Sequence, residues 1–382
     1  MLPFVRMFEY GNEAPSLPKI KKLSTGYQHA MLLTQTGDLY AKGSNASGQL
    51  GTGNTTAAKT WILVNSSVAD VYCSANGTLI KKNDESWWSS GSGAAAGVNS
   101  VVNTWSNVSV QINSMLTSLP GSFIKQFVSS FYSSMAVRSD DTVWVIGQNN
   151  NGEITGTTAK YNTFVNITAN LPSVPAKIYG SENCMAYTDS TGAFYYSGQM
   201  VGGIAGGSAN ATTFTRYNVG LSTNKIIDFN TTGYGSFFII ETTAGVKQSY
   251  AGGYQRYGQL GDGGSTATIL APAPITTPNS NLIKLFKGTS MYNQHLITKS
   301  GIYATGQNSI SQYNGTLGIG STIDATTYTL AQISLSSYDN IEIHTTLDRT
   351  FLWAGDYVYS TGLNSTYSSI TSNSYVLDMP SI

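Results

Sequence analysis

The sequence predicts an all-β fold: a seven-bladed β-propeller with four-stranded antiparallel blades. Three observations predict it. An anchor of one aromatic residue, two further residues and a glycine recurs seven times in the 382 residues. The anchors are evenly spaced. Each is preceded by two short apolar runs split by a turn, and a further apolar run opens and closes most units.

The anchors are Tyr40-Ala-Lys-Gly43, Trp88-Ser-Ser-Gly91, Trp144-Val-Ile-Gly147, Tyr195-Tyr-Ser-Gly198, Tyr250-Ala-Gly-Gly253, Tyr303-Ala-Thr-Gly306 and Tyr359-Ser-Thr-Gly362. Successive glycines lie 48, 56, 51, 55, 53 and 56 residues apart. The aromatic is read as packing between blades. The glycine is read as permitting close strand approach or φ > 0. Upstream of the first anchor, His29-Ala-Met-Leu-Leu-Thr and Leu39-Tyr40 flank a turn containing Gly37, which is a β-hairpin signal. Repeat six has the same plan, with His295-Leu-Ile-Thr, then Gly301, then Ile302-Tyr303, so His29 and His295 are read as equivalent. Opening runs include Ile20–Leu23, Ile124–Phe127, Ile226–Phe229, Ile283–Phe286 and Ile341–Ile343. Closing runs include Trp61–Val64, Phe164–Ile167 and Gln332-Ile333. Four short strands per unit make a blade that cannot cover both its apolar faces alone, and ring closure covers the last of them. The blades are placed near 20–64, 68–112, 124–167, 177–219, 226–275, 283–333 and 341–379, with residues 1–19 as an N-terminal arm or clasp strand. Helical periodicity is weak, so little helix is expected.

A loop signature follows several anchors: Gly48-Gln-Leu-Gly51 in repeat one, Gly258-Gln-Leu-Gly261 in repeat five and Gly315-Thr-Leu-Gly318 in repeat six. Gly152 and Gly203 hold the same offset in repeats three and four. The segment Gly26-Tyr-Gln-His29 through Gly37-Asp-Leu-Tyr40-Ala-Lys-Gly43 to Gly48-Gln-Leu-Gly51-Thr-Gly53 resembles the repeat of the regulator of chromosome condensation family. The resemblance is specific in repeat one, good in repeats five and six, degenerate elsewhere, and extends over residues 20–382. It implies a seven-bladed propeller of ~50-residue blades. Members often complete one blade with strands from both chain ends. Here Phe4–Phe8 beside Tyr375–Asp378 would form such a clasp, or residues 1–19 would dock elsewhere as an arm.

Composition narrows the function. Charged residues are 10% of the chain and balance to zero net charge. That argues against nucleic acid as a partner, because phosphate neutralisation needs a basic stripe. It also argues against a polybasic membrane anchor. No apolar stretch is long enough to insert in a membrane. The two cysteines, Cys73 and Cys184, make no disulfide framework. The N-terminus has no signal-peptide pattern, so folding in a reducing cytoplasm is expected. Asn-x-Ser/Thr tripeptides, at Asn45 and Asn54 among others, are read as chance in so polar a chain.

Chemistry is scarce. His29, His295 and His344 are read as structural. No zinc-ligand spacing, nucleophile elbow or P-loop occurs, so neither metal nor cofactor is expected. Gly202-Gly-Ile-Ala-Gly-Gly207 falls on the loop register and is read as a turn. The pairs Asp84-Glu85 and Asp140-Asp141 sit at hairpin turns, where carboxylates satisfy local backbone. Lys19-Ile-Lys-Lys22 is read as a solvated edge. The chain is therefore expected not to be an enzyme.

What remains is a display surface on a rigid frame. Candidate binding residues are Tyr254, Arg256 and Tyr257, with Tyr313, Tyr367 and Trp105, because Tyr and Arg on loops give large contact area at little entropic cost. A Ser/Thr/Asn/Gly/Tyr-rich, charge-poor β-repeat chain looks like a virion protein of a tailed bacteriophage. By that analogy the expected role is a host-surface adhesin or a capsid, collar or tail decoration, made in the host cytoplasm. Its expected partners are other virion structural proteins and a host cell-surface glycan or receptor. The alternative is a cellular protein-interaction scaffold or small-GTPase exchange factor, the latter being the role of the family's best-known member. A polysaccharide-acting enzyme ranks last. A shared fold does not carry function by itself.

Overall fold

The structure is a computed structural model. It describes residues 17–380 except 94–100, 150–151, 153, 155–158, 182–183, 205–206, 221–222, 233, 267–268, 277–280, 289–291 and 311–313. Seven antiparallel sheets follow one another along the chain, and in each the strands pair in sequence order. The first strands are Ile20–Thr25, Val68–Cys73, Ile124–Ser129, Lys177–Gly180, Lys225–Thr232, Leu282–Leu285 and Ile341–Thr345. They surround a central channel of about 810 Å³. The fourth strands are Ala58–Asn65, Val101–Asn107, Tyr161–Asn166, Gly207–Tyr217, Ile269–Ile275, Ala325–Leu330 and Ser372–Leu377. The closing strand of blade 6 is thus Ala325–Leu330, and Gln332-Ile333 lies beyond it.

The core lies between blades. One cluster joins Met31, Leu33 and Ala41 of blade 1 to Val71 and Ile80 of blade 2; another joins Phe237 and Ile239 of blade 5 to Leu296, Ile297 and on to Leu352 of blade 7. This is why the second strands of blades 1, 3, 4 and 6 are buried along their whole length rather than on alternate residues. The anchor aromatics sit at the margin of these clusters. Tyr195 and Tyr250 are buried, whereas Tyr40, Trp88, Trp144, Tyr303 and Tyr359 are half-buried. All seven anchor glycines have φ between 78° and 135°. Each closes its third strand against the start of the second; a Cβ on Gly306 would stand 2.0 Å from the carbonyl oxygen of Tyr292.

The loop signature joins blade to blade. The carbonyl of Gly48 accepts a hydrogen bond from Ser90 Oγ of the next blade at 2.5 Å. Gly152 accepts from Ser197, Gly258 from Thr305 and Gly315 from Thr361, all at 2.7–2.8 Å. Each donor immediately precedes an anchor glycine. Leu50, Ile154, Leu260 and Leu317 in these loops are fully buried. Asn45, Asn149 and Asn308 hold the same loops by accepting from the backbone N–H of Leu50, Ile154 and Leu317. The Asn45 side chain is wholly buried in this role. Repeat four departs from the pattern. Gly203 belongs to a long third strand, Phe194–Ile204, and Gly207 opens the fourth, so neither glycine lies in a signature loop.

Blade 7 has lost the signature, and its junction with blade 1 is built differently. Lys42, at the position of Ser90 and Thr305, forms a buried ion pair with Asp378, its Nζ lying 2.8 and 2.6 Å from the two carboxylate oxygens. Trp61 Nε1 donates to the Asp378 carbonyl and its ring packs on Phe351. Blade 7 draws its four strands from residues 341–377, and blade 1 from residues 20–65. Tyr375–Leu377 therefore pair within blade 7, with Tyr359 and Ser360 of its third strand. The proposed clasp residues Phe4–Phe8 lie outside the described residues. A fifth, two-residue strand, Lys287–Gly288 of blade 6, adds parallel to His344–Thr345 of blade 7.

Little helix is present among the described residues, as expected, and one sequence expectation, on the histidines, is corrected here. A nine-residue helix, α1 (Ser109–Thr117), follows blade 2, and its Ile112 and Met115 are fully buried against Trp87, Ile146 and Phe164. His295 is not equivalent to His29. His29 faces the anchor Gly43, while Asn293 faces Gly306 and His295 lies two residues further along. A longer connection between the first two strands of blade 6 shifts the register.

Candidate functional site

The molecule presents two unlike faces. One carries the turns between first and second strands together with the loops after the anchors; it is called the loop face. The other carries the hairpins between second and third strands, where Asp38, Asp84, Glu85, Asp140, Asp141, Asp189, Lys299 and Asp356 lie. Asp84, Asp140 and Asp189 accept from Ser86, Thr142 and Thr191 two residues on, closing their own turns. The Ser86 bonds hold the Asp84 carboxyl below its ordinary range, and at Asp140 the Arg138 guanidinium does so first, with Thr142 adding to it.

On the loop face, three of the sequence-predicted residues converge. Tyr254, Arg256 and Tyr257 follow the anchor of blade 5 and meet two tyrosines that sequence reasoning missed, Tyr234 and Tyr292. Tyr234 and Tyr292 stack at 4.7 Å with their planes 11° apart. Tyr257 meets Tyr292 edge-on at 4.7 Å, Tyr254 lies 5.9 Å from Tyr234, and the exposed Arg256 guanidinium stands 5.4 Å from the Tyr257 ring. The backbone beneath is fixed: Tyr254 N–H donates to Tyr234, and Gln307 N–H to Tyr292. Partial burial and the Tyr234 hydroxyl push the Tyr292 phenol up. A signal for the missed pair exists. Tyr132, Tyr234 and Tyr292 each stand immediately before the residue that faces an anchor glycine. Tyr132 forms a separate contact with Phe131, whose ring meets Tyr27 of blade 1 at 5.7 Å.

The other candidates lie elsewhere. Trp105 is in the fourth strand of blade 2 and packs on Gly51 of the blade 1 loop; a Cβ there would meet the indole at 2.4 Å. Tyr328 and Tyr375 cover Gly261 and Gly318 in the same way, so Trp105 is a joint between blades and not a loop contact. Tyr367 is half-buried on the loop face and covers a small pocket with Lys42, Asp348 and Arg349 beneath it. Burial lowers the Lys42 and Arg349 pKa values and raises that of Asp348. Tyr313 lies outside the described residues.

The channel holds a second arrangement that the sequence did not disclose. Lys22, Asp70, Gln126, Lys177, Asp228, Lys284 and Glu342 occupy one register step of the seven first strands, opposite Leu33, Lys81, Val137, Thr188, Ile239, Ile297 and Trp353. Charges alternate around much of this ring, at the end of the channel nearer the hairpin face. Lys22 pairs with Asp70 at 2.6 Å, Lys177 with Asp228 at 3.0 Å, and Lys287 with Glu342 at 2.8 Å. Gln126 joins blade 3 to blade 4 through the backbone of Ala176 and Ile178. Exposed Lys21 and half-buried Lys22 thus line the channel, so the solvated edge read for Lys19–Lys22 is in part the channel wall.

Groups suited to nucleophilic or metal chemistry are placed unhelpfully. Both cysteines are free and buried, and burial pushes the Cys73 thiol up to about 12. Among the described residues no three His, Cys, Asp or Glu side chains gather to hold a metal ion. None of the described helices is long and apolar enough to cross a membrane.

These features define a class: a seven-bladed β-propeller whose blades are tied by a glycine loop passed to the next blade. Comparison with known proteins then names the repeat. Residues 20–49 match the model of the regulator of chromosome condensation (RCC1) repeat. The fold is similar to that of Prp20p from Saccharomyces cerevisiae, at a TM-score of 0.73 and 14% identity over 92% of this chain and 88% of that one. Yeast RCC1 (Prp20) in its complex with Kap60 gives a TM-score of 0.71 at 14% identity, covering 100% and 91% of the two chains. Human WBSCR16 gives 0.69 at 14% identity, covering 90% and 88%. No curated protein matches the sequence.

Proposed function

We propose that this propeller is a non-enzymatic protein-interaction scaffold that receives a protein partner on its loop face. The observation that carries the reading is the convergence of Tyr234, Tyr254, Tyr257 and Tyr292 with the exposed Arg256 on backbone fixed from both sides. Aromatic and arginine side chains held rigidly are the groups that dominate binding energy at protein interfaces. Zero net charge favours contact area and neutral hydrogen bonds over long-range steering. The similar yeast propeller is described by its binding to Gsp1p and histones, and in a second structure it is bound to Kap60. That likeness favours an interaction role over the virion role expected from composition, which none of these similarities supports.

The test is affinity capture with the full chain, followed by binding of the purified partner to wild type and to a Tyr257→Ala/Arg256→Ala variant. A protein bound by wild type and at least tenfold weaker with the variant supports the reading. A partner bound equally by both would remove the loop face from the interaction. Accelerated nucleotide release from a captured small GTPase would specify the scaffold as an exchange factor.

A further inference from the structure

The ring of alternating charges in the channel does not close on itself. Five lysines, Lys21, Lys22, Lys177, Lys284 and Lys287, line the channel. Three carboxylates, Asp70, Asp228 and Glu342, answer them, which leaves an excess of lysines, and each carboxylate is already paired with a lysine other than Lys284. Asp70 takes Lys22 and the Val71 N–H on Oδ1 and the Tyr72 hydroxyl on Oδ2. Asp228 takes Lys177 on Oδ1 and the Leu285 N–H on Oδ2. Glu342 takes Lys287 on Oε1 and His344 on Oε2. Lys21 is held by a neutral carbonyl, that of Ala69, at 2.7 Å. Lys284 has the ring position between Asp228 and Glu342, yet both carboxylates are drawn to Lys177 and Lys287, and Lys284 forms no ion pair or hydrogen bond with the described residues. It is half-buried, so its charge is only partly hydrated. Burial and the charges of Lys287 and Lys177 lower its pKa, against the pull of Glu342 and Asp228. His344 is held neutral by burial and adds no charge.

An ammonium in that position is a preorganised acceptor of negative charge. It is partly desolvated, it has cationic neighbours, and it lines a cavity large enough for a metabolite. We infer that the hairpin-face end of the channel binds a small multivalent oxyanion, with Lys284 as its principal contact and Lys21 and Lys287 beside it. The ligand class is a phosphate- or carboxylate-bearing small molecule. The site is at the opposite end of the channel from the tyrosine cluster, so it is independent of the partner proposed above.

The full chain is titrated calorimetrically with tripolyphosphate and, separately, with citrate, at ionic strength held constant with sodium chloride. Saturable binding of one equivalent is expected for at least one of them, accompanied by a rise in melting temperature. Tripolyphosphate alone would assign phosphate, citrate alone carboxylate. Lys284→Met is expected to weaken binding at least tenfold and Lys284→Arg to retain it. Because Lys284 makes no ion pair or hydrogen bond among the described residues and is repelled by Lys287 and Lys177, the ligand-free melting temperature of Lys284→Met should change little. Binding that saturates equally in wild type and Lys284→Met overturns the proposal, as does the lack of any saturable binding up to millimolar anion.

Discussion

At the scale of single residues, the three histidines show how a shared letter can hide different environments. His29 bonds Thr78 Oγ1 through Nε2, and its ring fills the space a side chain at Gly26 would need. Burial lowers its pKa to about 3 and that of His295 to about 4. Both are therefore neutral in the folded protein at pH 5, where their unfolded counterparts are protonated. The unfolded state then binds more protons, so stability falls as pH drops from about 6.5 toward 4. Between pH 6.5 and 5 most carboxylates stay ionised in both states; Asp348, raised by burial, is the exception, so the comparison with a histidine variant isolates the histidine contribution. Melting temperatures across that interval should decline for wild type and decline less for His29→Asn, the residue that blade 6 places at the same position. A flat wild-type profile would contradict the burial of both rings.

At the scale of elements, much was legible because it repeats. The seven anchors and the hairpins follow from constraints that every blade must meet, and the loop signature from a contact that blades 1, 3, 5 and 6 share. What the repeat does not impose was unreadable. Helix α1 is a single insertion whose buried Ile112 and Met115 have no counterpart in other blades. The charge ring depends on register, and one-residue irregularities in the first strands hide its spacing. Tyr254, Arg256 and Tyr257 were found because they follow an anchor. Tyr234 and Tyr292 were missed because connections of unequal length precede them. The glycine loop itself can be tested. Ser90 is fully buried and donates to Gly48, so Ser90→Ala removes the blade-to-blade hydrogen bond and leaves the buried carbonyl only the Gly51 N–H of its own loop. Urea denaturation should show a loss of about 1–2 kcal/mol. No change would mean that the loop is held by Leu50 packing alone.

At the scale of the whole molecule, the junction of blades 7 and 1 is the singular place. Lys42 and Asp378 are 1% and 3% exposed, and neither charge has water to turn to if the other is removed. Lys42→Met should therefore lose about 3–5 kcal/mol. The double variant Lys42→Met/Asp378→Leu should recover at least half of that, since a matched apolar pair often replaces a buried ion pair at little loss. Equal destabilisation in both would locate the junction's strength in Trp61 and Phe351 instead, and urea midpoints distinguish the two.

The direction of the glycine loop has a consequence for synthesis. Blade 1 offers its Gly48 carbonyl before Ser90 has been translated, and blades 3, 5 and 6 offer theirs before Ser197, Thr305 and Thr361. A nascent chain can thus add blades in order as it leaves the ribosome, each settling on a neighbour already present. Lys42 must wait for Asp378, more than three hundred residues later. For nearly the whole of translation, blade 1 exposes one uncovered flank, and it is there that a chaperone would find its handhold.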